Sequence, residues 1–210
     1  MKHIIAQYNK AFEAFGDSPQ AVLWGKGNQD IRFNALISHF HLEKVHTLVD
    51  FGCGLAHLYP FLKNKGYNER YIGVDIVQNF LAQSKQKYPT EIFKESDEFL
   101  SDNQTYDLII SSGAFSLLYY TSIKKHQEYV FYVIERLFEK CRIGISINFM
   151  TSFVDYKQEN AYHQDPFELC NFLSTSLTRR FILDQSYMPY EFTISLFKNE
   201  TIISNMYEKL

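Results

Sequence analysis

The segment Thr47–Leu62, TLVDFGCGLAHLYPFL, constrains the fold more than any other part of the chain. Its apolar pair Leu48-Val49 leads to an acid, Asp50, then to Gly52 and Gly54, and then to apolar residues at helical spacing, Leu55, Leu58, Phe61 and Leu62. That succession predicts a strand, a tight turn and a helix. Glycine at such a turn lets the backbone adopt positive φ and lets a ligand approach the main chain, and the first helical amides are expected to face the same space. The segment reads as a nucleotide-type cradle. A dinucleotide fingerprint needs a glycine or another small residue where His57 stands, and the bulk of His57 would wedge helix from strand. No Lys-Ser/Thr pair follows, so a phosphate loop is excluded.

Similar alternations flank this segment. Ile4, Ile5, Tyr8, Ala11, Phe12 and Phe15 predict an N-terminal helix stopped by Gly16 and Asp17-Ser18-Pro19. A loop then carries the single tryptophan, Trp24, which suits either a core plug or a site wall, and a second helix is expected from about Asp30 to His41. YIGVDI, residues 71–76, predicts a second buried strand ending at Asp75, whose carboxylate could also cap the following helix. EIFK is a short third strand before Glu95-Ser96-Asp97, and YDLIISSGAF, residues 106–115, is a fourth ending in Ser111-Ser112-Gly113. The helix from about Ser122 to Lys140 has the broad apolar face of a core element, and RIGISINFM, residues 142–150, is a fifth strand. TSFVDYKQENAYHQDP is polar, aromatic and long for a loop. FILDQSYM and FTISLFK alternate apolar and polar residues around Met188-Pro189-Tyr190-Glu191, as an antiparallel hairpin does. The expected fold is α/β, a doubly wound, mostly parallel seven-stranded sheet with an antiparallel C-terminal hairpin. Residues 1–210 are expected to form one domain, with a helical cap at 1–41 and an α/β core at 42–210.

With an acid two residues before the first glycine and Ala56 two residues after the second, D-F-G-C-G-L-A resembles motif I of the class I S-adenosylmethionine-dependent methyltransferases. Ala56 stands where that family usually has a third glycine. The resemblance runs from about residue 46 to 198, through the acid at the end of the second strand, the acid after the third, the fourth strand and the terminal hairpin. It implies a Rossmann-like methyltransferase fold with S-adenosylmethionine as cofactor. It also implies roles for Trp24, Arg32, Asp50, Gly52, Cys53, Gly54, Asp75, Ile76, Asp97, Ser112 and Gly113 in binding that cofactor. Asp75 would accept from the ribose hydroxyls, Asp97, with Glu95 as competitor, from the adenine amine, and Arg32 would face the cofactor's carboxylate. Arg32 could instead be a solvated helix residue paired with Asp30 or Glu43. The end of the fourth strand resembles motif IV, which faces the transferable methyl. It departs from the N-P-P-Y form used on nucleobase or glutamine nitrogens, which argues against those acceptors.

Composition narrows the partners. Net charge is −3, from 21 basic and 24 acidic residues that are interspersed, so no field of one sign is available to hold a phosphate backbone and nucleic acid is not expected. Three cysteines, an odd number without a C-x-x-C pair, argue against a disulfide framework and a zinc site and for a reducing, cytoplasmic compartment. No apolar run approaches the ~20 residues of a membrane span, and no signal peptide is expected. With 19 Phe and 15 Tyr, some rings should line a pocket. Residues 151–165 set Lys157 against Asp155, Glu159 and Asp165, and together with the cap they would lie over the methyl, which suits a small-molecule acceptor. His57, His126, His163, Tyr119, Tyr120 and Tyr162 are candidate bases, and none is singled out. A nicotinamide dehydrogenase is disfavoured by His57 and by the hairpin. A catalytically silent module binding S-adenosylmethionine or S-adenosylhomocysteine fits the same residues, because motif IV demands no catalytic side chain.

Overall fold

The computed structural model describes residues 2–23 and 29–198. Strand β1 (Thr47–Phe51), helix α3 (Leu58–Asn64) and strand β2 (Arg70–Asp75) form around the glycine turn. They are preceded by α1 (Lys2–Phe15) and α2 (Gln29–Ile37), so the second cap helix ends earlier than its apolar spacing suggested. Next come α4 (Gln78–Lys87), β3 (Ile92–Glu95), α5 (Ser96–Ser101), β4 (Tyr106–Ser111), α6 (Ile123–Lys140) and β5 (Cys141–Thr151). The chain ends with β6 (His163–Gln164), α7 (Pro166–Ser176), β7 (Phe181–Asp184) and β8 (Glu191–Phe197). Two short elements, α5 and β6, were not anticipated. Asp97 thus lies in the first turn of a helix and not in a loop.

The sheet runs β3-β2-β1-β4-β5-β8-β7, with β6 alongside the end of β5 as an eighth strand. Pairs β1/β2, β2/β3, β1/β4 and β4/β5 are parallel, while β8 is antiparallel to both β5 and β7. Strand order reverses between β1 and β4, and the crevice outside the carboxyl ends of strands at such a switch point is where open α/β sheets bind ligands. Central strands covered on both faces need near-continuous apolar runs. Val49, Ile109, Ile145 and Ile147 accordingly pack against Val130, Val133, Ile134 and Leu137 of α6 on one face. On the other face Leu48, Leu108 and Ile110 pack against Phe33 and Leu36 of α2 and Leu58 and Leu62 of α3. Leu137 is fully buried, and truncating such a residue to alanine costs about 2–5 kcal/mol.

The long segment after β5 is tied down along its length. Leu118 N–H donates to the Asn160 carbonyl (3.0 Å) and Tyr162 N–H to the Ser116 carbonyl (2.8 Å), which stitch it to the segment after β4. Asp165 then caps α7 by accepting from the Phe167 and Glu168 amides, with Pro166 in the first turn. Among the described residues no helix is long and apolar enough to cross a membrane.

Candidate active site

The turn after β1 is shaped by its glycines and satisfied by its neighbours. Gly52 has φ 80° and Gly54 φ 52°. A Cβ on Gly52 would sit 2.5 Å from the Cβ of Ala114, and one on Gly54 would sit 2.8 Å from Cγ1 of Val22, so side chains are excluded at both. The amides of Gly52 and Cys53 both donate to the Val74 carbonyl (2.7 and 2.9 Å), and Gly54 N–H donates to Asp75 Oδ2 (2.7 Å). These three turn amides are therefore turned inward. A phosphate would find them engaged, so the turn suits a ligand that brings no phosphate to it.

Asp75 holds this arrangement together. Its Oδ1 accepts from Val77 N–H (2.8 Å), so one carboxylate joins the glycine turn to the start of the next helix. Each oxygen retains acceptor capacity, and the side chain borders a chamber it shares with Tyr8, Phe80 and Gly113. Burial pushes the Asp75 carboxyl up to about 6, against the pull of its backbone donors. Asp50 is also buried and accepts from Tyr71 Oη (2.7 Å); burial, and to a lesser degree the charge of Asp75, raise it to about 7 despite that bond. Burial, then the charges of Asp75 and Asp50, drive the Cys53 thiol well above its ordinary value, which removes it as a nucleophile.

Three adjoining spaces lie along the crevice. The largest, 460 Å³, is bordered by Ile76, Gln78, Glu95 and Asp97, with Ile5 and Asn9 of α1 on its outer side. Two small chambers, 50 and 30 Å³, share Gly52, Gly54, Ser112 and Val22; Asp75 and Gly113 line the first, Asp50 and Cys53 the second. Trp24 lies outside the described residues. Helix α1 closes over these spaces: Tyr8 and Phe12 meet Phe80 edge-on (5.7 and 5.6 Å), Asn79 Nδ2 donates to Asn9 Oδ1 (3.0 Å), and His3 Nε2 donates to the Leu118 carbonyl (3.2 Å). Asp17, beyond the helix, receives His57 Nε2 (2.9 Å) and Lys87 Nζ (2.7 Å).

Arg32 borders none of these spaces. Its guanidinium grips Glu191 through both oxygens, with Nε donating to Oε2 at 2.5 Å, a partner that neither sequence reading had proposed for it. Arg32 and Glu191 are each 7% exposed. Asn148 Nδ2 donates to the same Glu191 oxygen (3.3 Å), and Asn148 Oδ1 accepts Gly113 N–H (2.7 Å). A buried polar chain thus runs from the second cap helix through β8 and β5 to the turn that lines the chamber. Asn148, Glu191, Tyr8 and Val22 were missed by sequence reasoning. The strand residues sit inside apolar runs, and nothing local distinguishes the helix and turn residues from packing positions.

The candidate bases are mostly occupied. His126 is fully buried, burial pushes it down to about 4, its Nδ1 accepts from Tyr119 N–H (3.0 Å), and its Nε2 has no hydrogen-bond partner. His163 donates from Nδ1 to the Thr151 carbonyl (3.0 Å) and accepts Gln158 N–H at Nε2 (3.3 Å). Tyr119 Oη donates to the Ala114 carbonyl and Tyr162 Oη to Gln164 Oε1. Among the described residues no group of His, Cys, Asp or Glu is arranged to hold a metal ion.

A glycine turn with inward amides, a buried acid at the end of β2 and an open sheet with an antiparallel last pair give the Rossmann-like fold of the class I S-adenosylmethionine-dependent methyltransferases. The methyltransferase-domain family model matches residues 49–141, and S-adenosylmethionine is the methyl donor. A Mycobacterium tuberculosis protein assigned by inference as a methyltransferase, Rv1506c, is 22% identical over 150 residues, 70% of this chain and 90% of that one. Human N-acetylserotonin methyltransferase, solved with S-adenosylmethionine, is similar in fold at a TM-score of 0.59 and 16% identity. The match covers 94% of this chain and 66% of that one. The plantazolicin methyltransferase BpumL, solved with a substrate analogue and S-adenosylhomocysteine, has a TM-score of 0.63 at 13% identity, over 94% and 98% of the two chains. The residues present fit the donor: the 460 Å³ space, lined by Ile76 and Asp97, offers room for its adenosine end, and Asp75 lines the chamber next along the crevice. The small chambers have room for about one or two waters each.

Proposed function

We propose that the chain methylates a small molecule enclosed between the cap and the segment of residues 151–165, with the donor held by Asp75 at the ribose, Asp97 at the adenine and the Asp50–Gly54 turn along the methionine arm. The observation that carries this reading is the closure of the crevice. Helix α1 is hydrogen-bonded to α4 on one side and to the segment after β4 on the other, so the cap spans the crevice where a bound polymer would lie. His126 and His163 have no free basic nitrogen, since Tyr119 N–H takes Nδ1 of the first and Gln158 N–H takes Nε2 of the second, and His57 is held through Nε2 by Asp17. Alignment of nucleophile and methyl, which can supply about 7–11 kcal/mol, is then the main contribution of the protein. The donor supplies an electrophilic methyl; the chain's own residues orient the acceptor and exclude water from it.

The test is transfer of label from methyl-labelled S-adenosylmethionine to a cell extract separated by size. Label confined to the small-molecule fraction is the expected result. Label in tRNA, DNA or large proteins, with none in the small fraction, refutes the reading. No incorporation anywhere, with tight donor binding, points to a silent binding module.

A further inference from the structure

On the far side of the polar chain, a cleft of 240 Å³ opens between the segment after β5 and the turn joining β7 to β8. Met150, Val154, Met188 and Glu191 line it, and Tyr156 and Tyr190 stand at its rim. Ordinary small-molecule pockets enclose about 300–1,000 Å³, so this one suits an occupant of roughly one ring system with a short chain. Its back wall joins it to the donor space: Glu191 lines the cleft, Gly113 lines the donor chamber, and Asn148 is hydrogen-bonded to both. One side chain therefore separates the two.

The cleft's charge is of one sign. No Lys or Arg lines it, and its acids are Asp155 and Glu191. Glu191 is already matched by Arg32 on its buried side, whereas Asp155 is exposed at the rim, where Tyr190 Oη donates to its Oδ2 (3.0 Å). Around that carboxylate the rings are unusually open: Tyr156 is 72% exposed, Tyr190 53% and Phe153 48%, and Phe153 leans on Phe167, itself 74% exposed (5.7 Å). Tyr156 and Tyr190 line the cleft together with Asp155, and a carboxylate beside aromatic rings has the chemistry that holds an organic cation.

We propose that this cleft is a binding site of its own and that it takes a small ring-bearing organic ammonium, its charge at Asp155 and its ring between Tyr156 and Met188. The proposal is independent of the small-molecule reading above. The ammonium is the anchor.

Calorimetry on the full chain saturated with S-adenosylhomocysteine tests it with two probes, phenethylammonium and 3-phenylpropionate, which pair the same ring with opposite charges. Saturable binding of the ammonium is expected, with the carboxylate at least about tenfold weaker. Asp155→Asn should weaken the ammonium about five- to tenfold, and Tyr156→Ala about two- to fivefold, the range of an exposed cation–π contact. Both residues are exposed, so melting temperatures should not move. Equal binding of the two probes, no saturable ammonium binding, or unaltered affinity in both variants overturns the proposal. Protein that binds S-adenosylhomocysteine but neither probe refutes the cleft assignment and leaves the small-molecule reading standing. Protein that binds the ammonium through Asp155 yet methylates only macromolecules refutes the small-molecule reading and leaves the cleft site standing.

Discussion

The glycine turn and the polar chain beside it are built by contacts of different reach. Around β1 and β2, the bonds that shape the turn, Gly54 to Asp75 and Tyr71 to Asp50, each join residues 21 apart in the chain. In the polar chain, Gly113 to Asn148 spans 35 residues, Asn148 to Glu191 spans 43, and Arg32 to Glu191 spans 159. The bonds that shape the glycine turn thus lie within one strand-turn-helix-strand unit. The polar chain exists only once the cap, β5 and the C-terminal hairpin have met. A change in the long-range chain should therefore unsettle the fold and spare donor affinity, and a change in the local unit should do the reverse.

The largest effect is expected from Glu191→Ala, which removes the carboxylate on which the buried Arg32 guanidinium rests. Breaking a buried pair from one side costs about 3–5 kcal/mol, readable by urea unfolding. S-adenosylhomocysteine affinity of the folded protein should stay within about twofold. Arg32→Met combined with Glu191→Leu should recover most of the lost stability, since apolar replacement of both partners is often neutral. A donor-affinity loss in Glu191→Ala as large as that from a change at Asp75 would break the comparison.

Asp75→Ala comes next. Hydrogen bonds to a charged group contribute about 1.5–3 kcal/mol each, so calorimetry should show binding of S-adenosylmethionine and S-adenosylhomocysteine weakened about ten- to a hundredfold, and equally, because the ribose is common to both. Unequal losses would remove the ribose assignment.

A smaller effect sharpens the comparison through pH. Burial lifts Asp75 to about 6 and Asp50 to about 7, above the carboxylate value of 3.8, so the folded chain keeps protons that the unfolded chain has released. Their contribution to stability is fully present below about pH 3.8 and is lost as pH rises through 6 to 7. His126 works oppositely: lowered from 6.5 to about 4, it contributes stability that is present above 6.5 and lost as pH falls through 4. Asp50→Asn should therefore reduce any decline in melting temperature between pH 5 and 8. Hydroxyl donors favour an ionised acceptor, so donor affinity in the wild-type protein should rise with pH up to the region of 6, and Asp75→Asn should abolish that rise. A flat wild-type profile counts against the role of Asp75.

The smallest effect concerns Ala56, an alanine held at φ 56°. A left-handed residue with a Cβ costs about 1–2 kcal/mol, and glycine's greater freedom in the unfolded chain returns about half of that. Ala56→Gly should stabilise the protein by at most about 1 kcal/mol in thermal unfolding. Destabilisation would show that the packing of its fully buried methyl outweighs the strain.

The sequence by itself determined the α/β class, the order of elements, the parallel sheet closed by an antiparallel hairpin and the position of the glycine turn. Hydrophobic period and glycine placement are local quantities, and contacts 21 residues apart fall within one supersecondary unit. Only the tertiary structure decided where Arg32 goes. A helix residue with Asp30 and Glu43 nearby in sequence offers no sign that its carboxylate lies at the far end of the chain, on β8. The same holds for Asn148 and Glu191, polar residues inside or beside apolar strands, whose partners are set by strand order. The direction of the turn amides, too, was settled by the chain's return through β2: once Val74 and Asp75 lie alongside, their oxygens take the N–H groups that a glycine motif, read alone, leaves open for a ligand.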